Sequence, residues 1–237
     1  MDANALYREI VEYCRANADP EIVTKYARYF TEGYDAYGLG KDVIPSKCKE
    51  ILARGGLTLE LVLATGDLLA ASHKYEEIYF ATHLLQHFYA DFTPAAFTAV
   101  EHWFELGVVN WAHCDVVCRD ATGPLLKNKV VDIDALEPWR QAVNPYQRRA
   151  LPVTLIEILK GTTDVNPLLA LIEPLMHDPE KKVQQGLGWF LREAWKLQPA
   201  TVEAFLLKHK DTAPRQIYQY ACEKMTKEQK SKYQKSN

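Results

Sequence analysis

Residues 178–197 read DPEKKVQQGLGWFLREAWKL, and this stretch decides the fold class. Asp178 is a residue type that caps helix N-termini, and Pro179 suits a first turn because its missing N–H would have no partner there. Glu180 adds an acid at the positive end of the helix dipole. The spacing predicts a helix opened by these three residues and running to about Leu197. The same tripeptide occurs as Asp19-Pro20-Glu21 and predicts a second helix over Ile22–Phe30. Between residues 2 and 17 the apolar positions Ala5/Leu6, Ile10 and Tyr13/Cys14 recur at helical steps. Pro45, Pro94, Pro145 and Pro199 occupy similar starting positions, and Gly33, Gly107 and Gly161 fall where helices should stop. Convincing strand alternation is found nowhere.

The pattern gives about a dozen helices of roughly 10 to 18 residues with short connections. Helix pairs recur about every 35 to 45 residues, the spacing of HEAT or armadillo pairs, although no exact repeat is present. The expected fold is therefore all-α, a curved superhelical solenoid of HEAT-like antiparallel helix pairs. A globular bundle is the competing architecture, and periodicity alone does not separate the two. At 237 residues, 48% hydrophobic and 25% charged, the chain suits a single domain over 1–237. A fold of this size buries roughly 70% or more of its unfolded surface and needs no disulfide or metal staple.

No run reaches the roughly 18 to 20 apolar residues that span a bilayer. The start, Met1-Asp2-Ala3-Asn4, lacks the basic-then-apolar order of a secretory signal. Five cysteines is an odd number, and all lie in apolar segments, which suits free buried thiols. The expected location is cytoplasmic.

The formal net charge is −3, which excludes a globally basic DNA-coating protein but not a local basic groove. Residues 179–237 carry twelve Lys/Arg against six Asp/Glu, and residues 1–178 carry sixteen against twenty-five. A basic end on a nearly neutral chain suits a polyanion held on one side, and equally a solvated helix face. Its last stretch, 225–237, is a candidate frayed tail.

Three constellations could carry chemistry. In Asn110-Trp111-Ala112-His113-Cys114-Asp115, Trp111 and Asp115 are four apart and share a helix face. A ring face beside a carboxylate suits a cationic ligand; a core Trp with a capping Asp is the plainer reading. In the opening stretch, Gly186 and Gly188 each cost a helix interior about 1 kcal/mol relative to alanine. Close packing by a neighbour would offset that cost, with Trp189 and Arg192 following on the same helix. In Tyr146-Gln147-Arg148-Arg149-Ala150, after Asn144-Pro145, two arginines stand by a helix N-terminus, where phosphates bind. Paired surface arginines without a ligand are also common.

Other patterns fall short. Cys114 and Cys118, with His102 and His113 nearby, lack the spacing of four converging zinc ligands, so no metal is expected. His83 and His87 are not part of a His-Glu-x-x-His motif, and Gly38-Leu39-Gly40-Lys41 is too short for a phosphate loop.

Taken together, the chain resembles the DNA alkylation repair family, the AlkD-like alkylpurine DNA glycosylases built of HEAT-like repeats. The resemblance rests on Gly188-Trp189-Phe190-Leu191-Arg192-Glu193, on Trp111-x-x-x-Asp115 and on Arg148-Arg149-Ala150, with a weaker match at Ala27-Arg28-Tyr29-Phe30. It implies a monofunctional glycosylase that removes cationic N3- or N7-alkylated purines from duplex DNA, as a monomer, without a cofactor or an obligate protein partner. By the same resemblance Asp115 is the catalytic carboxylate, Trp111 and Trp189 face the lesion, and Arg149, rather than Arg148, anchors a phosphate. Tyr29 matches an aromatic position on the DNA-facing surface, and Arg192 belongs to the DNA-binding set. Ala112 and Cys114 depart from residues seen in some relatives without removing the Trp–Asp pair. Some relatives lack the catalytic Asp and bind unusual DNA without cutting it. A non-catalytic binder of distorted or branched DNA is accordingly the alternative, and the retained Asp115 favours catalysis.

Overall fold

A computed structural model describes residues 1–31 and 33–234. Every described element is helical, so the chain is all-α. Its contacts gather into two compact units, Met1–Val130 and Val131–Asn237.

The first unit holds α1 (Ala3–Ala16), α2 (Pro20–Ala27), α3 (Val43–Ala53), α4 (Leu59–Ala71), α5 (Tyr75–Leu85), α6 (Pro94–Leu106), α7 (Trp111–Val117) and α8 (Gly123–Lys127). Helix α4 packs on α1, α5 and α6, and α5 packs on α3 and α7. Ile10, Leu69, Ile78, Phe80, Leu84, Val100 and Trp103 are wholly buried between them. The indole N–H of Trp103 donates to Asp67 at 2.9 Å, so its one polar atom is not orphaned by burial.

The second unit holds α9 (Pro145–Ile156), α10 (Asn166–Ile172), α11 (Lys181–Leu197), α12 (Pro199–His209), α13 (Arg215–Ala221) and α14 (Lys227–Ser231). Helix α11 is its axis, packed on α9, α12 and α13. Val183, Leu187, Phe190, Leu191 and Ala194 form its buried face. Gly186 and Gly188 are explained by that packing. A Cβ on Gly188 would lie 2.6 Å from the Ile217 carbonyl oxygen and 2.5 Å from the Tyr220 Cβ. One on Gly186 would meet the Arg149 Cγ at 3.0 Å. Helix α13 approaches α11 too closely at Gly188 for any side chain, and at Gly186 the Arg149 side chain of α9 would have to give way.

The two Asp-Pro-Glu tripeptides behave differently. Asp19 caps α2 as expected, accepting the Glu21 N–H at 2.8 Å with Pro20 in the first turn. Asp178 also accepts the N–H two residues on, from Glu180 at 2.9 Å, but α11 begins only at Lys181. The Asp178 carboxylate is also shared with Arg148.

Three expectations are corrected. The helix expected over Ile22–Phe30 ends at Ala27, and Tyr29 and Phe30 follow in a tight turn held by i→i+3 bonds. Pro45 lies two residues inside α3, which starts at Val43. The stretch expected to fray from 225 is instead docked as far as it is described. Helix α14 carries a complete capping box between Thr226 and Gln229, Tyr233 is fully buried, and Arg215 donates to the Tyr233 carbonyl at 2.7 Å. Residues 235–237 of that expected tail lie outside the described residues.

Candidate active site

In the first unit, α7 begins immediately after Asn110, whose side chain accepts the His113 N–H at 2.8 Å and closes the helix N-terminus. This cap fixes the register of the helix, so Trp111, Asp115 and Arg119 follow one another at four-residue steps. All three line one cavity of about 700 Å³, together with Tyr29, Phe30, Tyr34 and Tyr75. Trp111 and Asp115 are half-buried, and Tyr29 is exposed. The cavity is walled by aromatic rings, with one carboxylate and one guanidinium on the same helical stripe.

The wall comes from a distant part of the chain. The segment after α2 carries Phe30 and Tyr34, whose rings stack with centroids 4.4 Å apart. Phe30 also stacks on Trp111 at 5.2 Å with an interplanar angle of 18°. The Trp111 indole N–H donates to the Tyr29 carbonyl at 3.3 Å. The segment beyond Tyr34 is held by the first turn of α5. Buried Glu76 accepts the N–H groups of Tyr37, Gly38 and Leu39 at 2.9, 2.7 and 3.2 Å. Glu77 accepts the Tyr37 hydroxyl at 2.7 Å, Lys74 pairs with Asp35, and the Tyr75 N–H donates to the Asp35 carbonyl at 2.9 Å. Gly38 sits at φ +81° against the Asp19 carbonyl, a position that only glycine fills without strain. Burial pushes the Glu77 carboxyl above the ordinary carboxylate range.

Beside the site, His113 is buried with its ring parallel to Tyr75, 6.1 Å away. Burial drives its pKa down to about 4, so it is neutral at pH 7. Cys114 and Cys118 are buried thiols with their sulfurs 4.0 Å apart. Among the described residues, no group of three His, Cys, Asp or Glu is placed to hold a metal ion. Arg119 stands at the start of a π-helical turn, Cys118–Thr122. Its Nε and Nη2 bond to the Asp120 carboxylate at 2.8 and 2.5 Å.

The other four residues singled out from the sequence lie in the second unit. Trp189 and Arg192 are half-buried on α11, the face on which Lys182, Gln185 and Lys196 also fall. Arg192 donates to Glu193 at 3.0 Å and pairs with Glu223 across to the segment after α13. Arg148 is an internal brace. It donates to Asp178 at 2.6 and 3.3 Å and to the Ala142 and Val143 carbonyls at 2.8 and 3.2 Å. Arg149 is 5% exposed, with Nη1 donating to the Lys182 carbonyl at 2.8 Å. The structure thus brings Tyr29, Trp111 and Asp115 to one cavity, and it ties Arg148 and Arg149 into the packing of α9 against α11.

Most of the cavity lining is not singled out by the sequence, Phe30, Tyr34, Tyr75 and Arg119 among it. Arg119 was legible, being one further helical step beyond Trp111 and Asp115. Phe30 appeared only inside the quoted Ala27–Phe30 match. Nothing local marks Tyr34 or Tyr75, because their places depend on the Glu76 and Lys74 contacts.

Among the described residues, no helix is long and apolar enough to cross a membrane. Comparison with curated protein sequences gives no match. The family model described as DNA alkylation repair enzyme matches residues 10–225, which takes in every residue discussed above for the site. With nearly the whole chain matched, this protein belongs to the DNA alkylation repair enzyme family.

Proposed function

We propose that the protein is a monofunctional DNA glycosylase that hydrolyses the N-glycosidic bond of cationic N3- or N7-alkylated purines in duplex DNA. The observation that carries this reading is the presence of Trp111 and Asp115, one helical turn apart, on the wall of a single aromatic cavity.

The chemistry suits those two groups. An alkylated purine already bears a positive charge, so it departs without strong protonation by a general acid. The C1′–N bond breaks, and its electron pair leaves with the base and neutralises the ring. Positive charge then develops on the deoxyribose as an oxocarbenium-like species, as in other glycoside hydrolysis. The Asp115 carboxylate stabilises that charge and orients a water molecule. The water oxygen bonds to C1′ and its proton passes to the carboxylate or to solvent. The Trp111 ring favours a cationic nucleotide over a neutral one by the attraction of a cation for the negative face of the ring. Trp189 is assigned the same kind of contact by the family resemblance. The basic stretch 179–237 supplies the salt-dependent attraction to phosphates.

The test is incubation of the purified protein with methylated duplex DNA and chromatography of the released base, with Asp115→Asn alongside. Release of methylated purine by the wild type and little by the variant supports the reading. Binding of DNA with no base release from either moves the assignment to a non-catalytic binder of distorted or branched DNA.

A further inference from the structure

Trp111 is the first residue of a seven-residue helix, and its ring is half-exposed. Helix α7 sets where its Cα lies but leaves the ring two side-chain torsions. What constrains those torsions comes from residues about eighty positions earlier. The indole N–H is held by the Tyr29 carbonyl at 3.3 Å. Phe30 lies against one indole face at 5.2 Å, nearly parallel. Tyr34 stacks on Phe30 in turn, at 4.4 Å and 20°, so Phe30 stands in a column between the two rings. Tyr75 closes the column from the side, with its ring centre 6.3 Å from Phe30 and 5.5 Å from Tyr34.

We propose that Phe30, backed by Tyr34, is a positioning residue that fixes the plane of the Trp111 ring and so presents its opposite face to the cationic nucleotide. The inference rests on the glycosylase reading above for its catalytic consequence, but not for its structural one. A cation is attracted to the face of an aromatic ring and not to its edge, so the contact depends on ring orientation. A single hydrogen bond at the ring edge permits rocking about the N–H···O axis, and a stacked neighbour removes that freedom. Leucine at 30 keeps apolar bulk but offers no flat surface. Tyrosine at 30 keeps the flat surface.

The experiment labels the protein with 5-fluorotryptophan, assigns the Trp111 fluorine resonance by its absence in Trp111→Phe, and compares wild type, Phe30→Leu, Phe30→Tyr and Tyr34→Leu. Each protein is also assayed for release of methylated purine. Phe30→Leu should shift or broaden the Trp111 resonance and lower kcat about tenfold, equivalent to about 1.4 kcal/mol, with KM changed less than twofold. Phe30→Tyr should restore both, and Tyr34→Leu should give a smaller change in the same direction. An unchanged Trp111 resonance in both leucine variants overturns the proposal, as does an unchanged kcat in Phe30→Leu when the wild type is active. A wild type that releases no base defeats the glycosylase reading instead, and the fluorine spectra of the free protein still decide whether Phe30 positions Trp111. If Phe30→Leu does not fold, Tyr34→Leu carries the spectral test, and a Trp111 resonance like that of the wild type overturns the proposal.

Discussion

The two units set their candidate site residues in different surroundings. In the first, Asp115 and Trp111 stand on the wall of a cavity, and the contacts that hold the indole come from stacked rings and one backbone carbonyl. In the second, Arg148, Arg149 and Arg192 are bound to carboxylates and carbonyls of their own unit. An arginine near a helix N-terminus in sequence looks like a phosphate ligand, yet the same five donors can brace two helices. The lesson is that a charged residue in a family motif can serve through the scaffold, whereas the aromatic–carboxylate pair lies on a cavity wall.

That contrast can be broken most sharply at Arg148. Removing it leaves the nearly buried Asp178 carboxylate without its cation, so Arg148→Ala should cost about 3–5 kcal/mol of stability. Urea denaturation would detect this, and a loss below 1 kcal/mol would deny Arg148 its bracing role. In the first unit the comparable change is read in catalysis. Asp115→Asn should lower base release by about 10² to 10³-fold, roughly 2.7 to 4 kcal/mol, with DNA affinity near wild type. Base release by the variant at the wild-type rate would remove Asp115 from the chemistry.

A third difference concerns pH. His113 has an ordinary pKa of 6.5 unfolded and about 4 when folded, so below pH 6.5 the unfolded chain takes up a proton that the folded chain refuses. Stability from this group is therefore complete above pH 6.5 and falls by about 1.4 kcal/mol per pH unit between 6.5 and 4. Denaturation series from pH 7.5 to 4.5 should show this slope in wild type and lose it in His113→Gln. An identical slope in both would assign the acid sensitivity elsewhere.

Smaller effects separate packing from binding in the second unit. Gly188→Ala should destabilise by about 1–3 kcal/mol, because the added methyl meets the backbone of α13. A neutral result would mean that α11 and α13 can move apart at no cost. Arg149→Ala distinguishes a phosphate contact from a packing role. If Arg149 reaches a phosphate, the slope of log affinity against log salt falls by about one contact on damaged and undamaged duplex alike. An unchanged slope with lowered stability would make Arg149 a second brace like Arg148.

The Trp–Asp pair of the first unit was legible, because it depends on short-range spacing. Trp111 and Asp115 share a face once α7 exists, and Asn110 ensures that it does. The helix class was legible for the same reason, from caps, prolines and apolar steps at Asp19, Pro94, Pro145 and Pro199. The glycines of α11 announced close packing but not its partners. The end of α2 was misplaced because Phe30 has no local reason to leave a helix.

What the sequence by itself determined is local: an all-helical chain, the starts of most helices, and a Trp–Asp pair at one helical step. The family was also readable, from motifs along the chain. Tertiary structure decided everything that depends on residues far apart meeting. It placed Phe30 and Tyr34 against Trp111, set the segment from Tyr34 to Leu39 on Glu76, and turned Arg148 inward to Asp178. The physical reason is range. Caps and helical steps act within about four residues, whereas ring stacking and buried ion pairs form only after packing has brought their partners together.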